Sequence, residues 1–119
     1  MGDYERYIWT LHSKFKMKYY GISESRVKRI INFPDRVEEG IVKNTIAAMQ
    51  KSGSKKKYQE IWVMYTMEKS KKLKSEKEIL NKIYKKPKIK IITAWRYPGK
   101  SPERNPIPEE ILREVRNIL

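Results

Sequence analysis

His12, Arg96 and the lysines and arginines around them are the residues of this chain best suited to chemistry. There is one histidine and no cysteine, and 28 Lys and Arg stand against 14 Asp and Glu. An imidazole titrates near neutrality, and when positioned as a general acid or base it contributes about 10²- to 10⁴-fold in rate. An arginine can grip a phosphate through two parallel N–H bonds. With Lys14, Lys16 and Arg29 adding positive potential, these groups suffice for metal-independent RNA cleavage. In that reaction the ribose 2′-OH attacks the adjacent phosphate while cations stabilise the extra phosphoryl charge. The assignment makes His12 the base or acid and Arg96 the phosphate holder, and it requires His12, Arg29 and Arg96 to converge on one surface. Each also has a plainer use. His12 can cap or pack at a helix start, and Arg96 can be a solvated strand end.

The charge points to a polyanion. A formal net charge of +14 and a pI near 9.9 predict an acidic partner, and the eight Tyr and three Trp interleaved with basic residues suit single-stranded RNA, whose exposed bases stack on rings. The expected RNA contacts are Lys14, Lys16, Lys18, Arg26 and Arg29, with Trp95 and Tyr97 as ring platforms. Lysine richness also suits plain solubility or a hot host. Other chemistries find little material. The only aspartates are Asp3 and Asp35, too few for a carboxylate-held metal pair, and a lone histidine supplies no zinc triad. No thiolate and no glycine-rich phosphate loop is present. No cofactor is expected. No apolar run reaches membrane-spanning length, and the opening MGDYERYIWT lacks a signal-peptide pattern, so a cytoplasmic protein without membrane association is expected.

The elements that must position these residues follow from spacing and punctuation. From His12 to Val37 the chain reads as two short helices joined at Gly21-Ile22-Ser23: Gly21 tolerates the left-handed conformation that ends a helix, Ser23 can cap the next, and Pro34 stops it. Leu11, Phe15 and Tyr19 in the first helix, and Val27, Ile30 and Ile31 in the second, recur at helical spacing and predict a buried stripe, leaving Lys14, Lys16, Lys18, Arg26, Lys28 and Arg29 outward. Val42 to Gln50 and Tyr58 to Thr66 then read as a β-hairpin around the turn Lys51 to Lys55, and Ile89 to Trp95 as a third antiparallel strand. Ile61, Val63 and Tyr65 alternate with Trp62 and Met64, predicting a central strand covered on both faces. On the third strand Thr93, Trp95 and Tyr97 share one face, and Ala94 and Arg96 the other. A lysine-rich helical insertion over 67–87 carries the capping box Ser75 to Glu78. A C-terminal helix over 107–119 has Glu109 and Glu110 in its first turn, complementing the helix dipole. The whole predicts one α+β domain over 1–119, with two N-terminal helices packed on a small curved antiparallel sheet.

His12 opening a helix, Gly21-Ile22-Ser23 at the joint, Val27, and Phe33-Pro34-Asp35-Arg36-Val37 at the end together resemble the pattern of a family of small domains of unknown function related to the RelE-like and BrnT-like toxins. Ile92 to Arg96 is similar to the last core strand of that fold. The resemblance covers about residues 8–66 and 88–97, and Tyr20 departs from it where the family favours arginine. It implies an RNA-directed protein, an endoribonuclease or a catalytically silent RNA-binding or interaction module, with an antitoxin as a further partner. A DNA-binding helix-turn-helix is the rival reading of the same joint, although bulky Met17 stands where close helix crossing favours a small residue.

Overall fold

A computed structural model describes residues 6–40, 44–67, 88–102 and 106–118. The elements in chain order are β1 (Tyr7–Trp9), α1 (Leu11–Tyr20), α2 (Glu24–Asn32), β2 (Arg36–Glu39), β3 (Thr45–Ser52), β4 (Gln59–Met67), β5 (Ile89–Pro98) and α3 (Glu109–Ile118). The strands form one sheet in the order β1-β5-β4-β3-β2. The fold class is therefore α+β, as expected. The predicted insertion helix after Ser75 lies outside the described residues.

The joint between α1 and α2 forms as its residues dictate. The Thr10 side chain accepts the Ser13 N–H at the start of α1, and Gly21 ends the helix at φ 67°. No atom stands within 4 Å of where a Cβ would be at Gly21, so its left-handed backbone, not crowding, is what favours glycine there. The Ser23 side chain accepts the Arg26 N–H to start α2, and the Phe33 N–H closes it on the Arg29 carbonyl just before Pro34.

The sheet is larger and less uniform than three antiparallel strands. β3, β4 and β5 pair antiparallel, but β1 joins the free edge of β5 in parallel, with Tyr7 opposite Ile89 and Trp9 opposite Ile91. The short, charged β2 closes the other edge against β3. Neither edge strand carries the apolar alternation that marks a half-buried strand; both are held by backbone pairing with a neighbour, which side-chain polarity does not announce. The β3–β4 hairpin also runs further toward its turn than expected, since Lys51 and Ser52 pair with Glu60 and Gln59.

Two cores result, one on each face. Val27 and Ile30 of α2 and Met17 of α1 pack with Ile61, Val63 and Tyr65 on the first face. Ile111 and Val115 of α3 cover Trp62, Met64 and Trp95 on the second. The two tryptophans, directly opposite across β4 and β5, stack with ring centroids 5.8 Å apart and planes 4° from parallel. The expected central strand is thus covered on both sides. The predicted stripe of α1 is not buried: Leu11, Phe15 and Tyr19 are 86%, 68% and 69% exposed, while Ser13, Lys16 and Met17 turn inward. The reason is placement. α1 runs alongside β5 beyond the end of β1, with the Thr10 hydroxyl donating to the Ile91 carbonyl near its start and the Tyr20 carbonyl accepting from Arg96 at its end. Its inner face therefore meets a sheet edge rich in polar groups.

Candidate nucleic-acid interface

At the C-terminal end of α1 three guanidinium groups gather with few carboxylates among them. Arg26, on the first turn of α2, donates to the Lys51 carbonyl at 3.1 Å. Arg96 donates from Nε to the Tyr20 carbonyl at 2.6 Å and from Nη2 to that of Gly21 at 3.4 Å. It thereby satisfies carbonyls that a helix end leaves without partners. Arg29 is exposed on α2. Partial burial and then the positive fields of Arg29 and Arg96 push Arg26 below the ordinary arginine value, against the opposing field of Asp35. Arginine keeps its proton all the same, so three positive charges act on one another at this end of the molecule.

The β3–β4 turn extends this positive surface. Asp35 accepts the Lys51 N–H at 2.8 Å, joining the turn to the end of α2. Lys51, Lys55, Lys56 and Lys57 are all exposed. Reading Lys51 to Lys55 only as a turn missed these four residues. The run of three consecutive lysines was the available signal, and what it lacked was the pairing that brings the turn beside Arg26.

His12 belongs to a different place. Its ring Nε2 lies 3.1 Å from the Thr93 hydroxyl, either partner able to donate, and 3.7 Å from a Glu114 carboxylate oxygen on α3. The Lys16 ammonium, buried at 4% exposure, sits 2.8 Å from the other oxygen of Glu114. Burial lowers the His12 pKa and the field of Lys16 adds to this, outweighing the opposite pull of Glu114. Burial would lower Lys16 too, but its bond to Glu114 and the surrounding negative fields raise it.

The sequence-predicted residues thus divide. Arg26, Arg29 and Arg96 come together, and Lys14 and Lys18 are exposed along α1. His12 does not join Arg96. Their attachment points lie about 12 Å apart along the helix axis, at His12 and Tyr20. They also occupy opposite faces of β5, since Thr93 pairs with Met64 of the second core and Arg96 with Ile61 of the first. A register shift between Met64 and Tyr65 sets Thr93 on that second face. Lys16 is spent on Glu114. Trp95 is fully buried against Trp62, and Tyr97 packs on the second core; the pattern placing them on one strand face was right, but α3 covers that face.

A second charged cluster is closed on itself. Glu60, fully buried on β4, accepts from the Tyr58 hydroxyl and the Trp62 indole at 3.0 Å each, the Ser101 N–H at 3.1 Å, and the Ser101 hydroxyl. Arg36 stands 3.7 Å from Glu60 and lies over the Trp62 ring. Burial alone would raise the Glu60 pKa, but these hydrogen bonds outweigh it and hold the carboxyl below its ordinary value. The cluster ties the segment after Gly99 to the sheet.

No helix among the described residues is long and apolar enough to cross a membrane. Compared with family models, characterised proteins and solved structures, the chain finds no match.

Proposed function

We propose that this chain binds RNA through the positive end formed by Arg26, Arg29, Arg96 and the lysine turn, as a cytoplasmic domain of the RelE-like and BrnT-like kind. The observation that carries the reading is that Arg26, bonded to the Lys51 carbonyl, feels the fields of Arg29 and of Arg96, which is bonded to the carbonyls of Tyr20 and Gly21, beside four exposed lysines of the β3–β4 turn. Phosphates would neutralise that repulsion and release counterions, the main source of affinity for a nucleic-acid backbone. Two consecutive helices, α1 and α2, followed by the antiparallel strands β2 to β5 are what supports the kinship. The antitoxin that kinship implies would be an acidic competitor for the same surface.

Strand cleavage by His12 with Arg96 has no geometric support, because one phosphate cannot sit within hydrogen-bond reach of both. Binding without cleavage is the form of the proposal. The test is titration of fluorescent single-stranded RNA, hairpin RNA and duplex DNA at several salt concentrations, with the RNA recovered afterwards in chelator. The expected outcome is affinity for RNA that falls steeply with salt, lost in Arg26→Glu/Arg29→Glu, and RNA left intact. A flat salt response would remove the nucleic-acid reading. Products formed by the wild type and lost in His12→Ala would restore the catalytic one, and a preference for one duplex DNA sequence would favour the helix-turn-helix.

A further inference from the structure

The exposed apolar stripe of α1 has no role in either core, yet it adjoins the positive end. Leu11, Phe15 and Tyr19 follow one another at intervals of four residues, which places them in a row along one helix face, about 6 Å apart along the axis. Exposed Lys14 and Lys18 repeat at the same interval beside them. Tyr19 is held in place: the Lys16 ammonium lies 5.4 Å from its ring centroid, and Tyr20 meets it edge-to-face at 4.8 Å. The row ends where Arg96 binds the carbonyls of Tyr20 and Gly21.

The geometry points to a track for single-stranded RNA along α1, with bases stacked on Phe15 and Tyr19 and phosphates on Lys14, Lys18 and Arg96. This rests on the RNA reading and specifies its ligand. The occupant must bring apolar faces and negative charge together, which a splayed strand does at every nucleotide. A second copy of a chain carrying a net charge of +14 would bring like charge to the lysine row. A duplex is excluded by spacing, because its bases follow at about 3.4 Å and stay stacked on each other, whereas rings about 6 Å apart take bases separated from their neighbours. Leu11 extends the apolar row by one further step.

The experiment compares anisotropy titrations of a short oligouridylate and of a hairpin RNA with blunt ends. The variants are Phe15→Ala, Phe15→Leu, Phe15→Trp and Tyr19→Ala, beside Arg29→Glu. Exposure of these rings means that their removal leaves both cores intact, which far-ultraviolet circular dichroism checks. Phe15→Ala and Tyr19→Ala are each expected to weaken oligouridylate binding by roughly fivefold or more, with the salt slope unchanged and hairpin binding unaffected. Phe15→Leu should bind as poorly as Phe15→Ala. Phe15→Trp should retain affinity and show indole quenching on adding oligouridylate. Wild-type affinity in both ring-to-Ala variants would overturn the track, and if Arg29→Glu still weakened binding, the RNA reading would stand and the stripe would pass to a protein partner. Equal binding by Arg29→Glu and the wild type would remove the RNA reading itself. Retention in Phe15→Leu would also overturn stacking, since an apolar docking face accepts leucine.

Discussion

Arg36 beside Glu60 and Arg26 beside Arg29 and Arg96 are two answers to the same problem of holding arginine at a sheet. In the first, charge is matched: a buried carboxylate, a serine, an indole and a phenol satisfy one another, and the guanidinium lies over Trp62. In the second, Asp35 opposes the fields of Arg29 and Arg96 at Arg26, and among the described residues the donors of Arg26 and Arg96 reach carbonyl oxygens and Gln59. A charge-matched network of this kind contributes to the fold. In the unmatched one, like charges act on one another, and these are the groups that the RNA reading uses.

The difference should break first at Glu60. Glu60→Gln removes the buried carboxylate that faces Arg36 and accepts from Ser101, leaving Arg36 with Glu38 at 3.8 Å, and is expected to cost about 3–5 kcal/mol, read from urea denaturation. The wild type should also lose stability in acid, and the sign is fixed. A carboxyl held below its unfolded value contributes fully above that unfolded value, and the contribution disappears as pH falls through the lower, folded one. Glu60→Gln should flatten that acid limb.

Arg26→Glu/Arg29→Glu should do the reverse, weakening RNA binding roughly ten- to a hundredfold while leaving the denaturation midpoint unchanged or higher. Its log–log salt slope should drop by about 0.7 for each phosphate that the variant no longer neutralises. A large loss of stability in this variant would place the cluster with the structural arginines and erase the contrast.

Arg96 lies between the two cases, because it both caps α1 and faces the positive end. Arg96→Met is expected to cost about 1–2 kcal/mol through the freed carbonyls of Tyr20 and Gly21, together with a fall in RNA affinity. A variant with weaker binding at unchanged stability would make Arg96 purely a binding residue.

The smallest effect is expected at His12. Its pKa is lowered in the fold by burial first, so the folded state disfavours the imidazolium. Stability should be complete above the unfolded histidine value and decline as pH falls through it toward the folded one. His12→Gln should remove that part of the decline, which begins at the ordinary histidine value and runs to lower pH, measured as the change in denaturation midpoint, and should leave RNA affinity at neutral pH as it was.

Gly21, Ser23 and Pro34 were legible one by one because each acts on its own backbone. Val27 and Ile30 were legible because α2 lies flat on an apolar sheet face, where helical spacing and burial coincide. α1 had equally regular spacing in Leu11, Phe15 and Tyr19, and there the inference failed. The inner side of α1 meets an edge where the Ser13 hydroxyl donates to the Thr10 carbonyl and Lys16 finds Glu114 from the far end of the chain. A buried lysine is intelligible only with its carboxylate, and nothing in the local pattern brings position 114 to position 16.

The same distinction separates the site from what spacing alone predicts for it. Sequence by itself determined the helix joint, the two-sided central strand, the positive charge and the residues able to carry it, since these depend on local backbone preference, alternation and composition. Only the tertiary structure decided which of them meet. It joined Arg26, Arg29 and Arg96, put His12 on the opposite face of β5, closed Trp95 under α3 and turned the aromatic row of α1 outward. Those outcomes depend on strand order, one register shift and contacts between distant residues, and a periodic pattern fixes a face of an element without fixing what that face will meet.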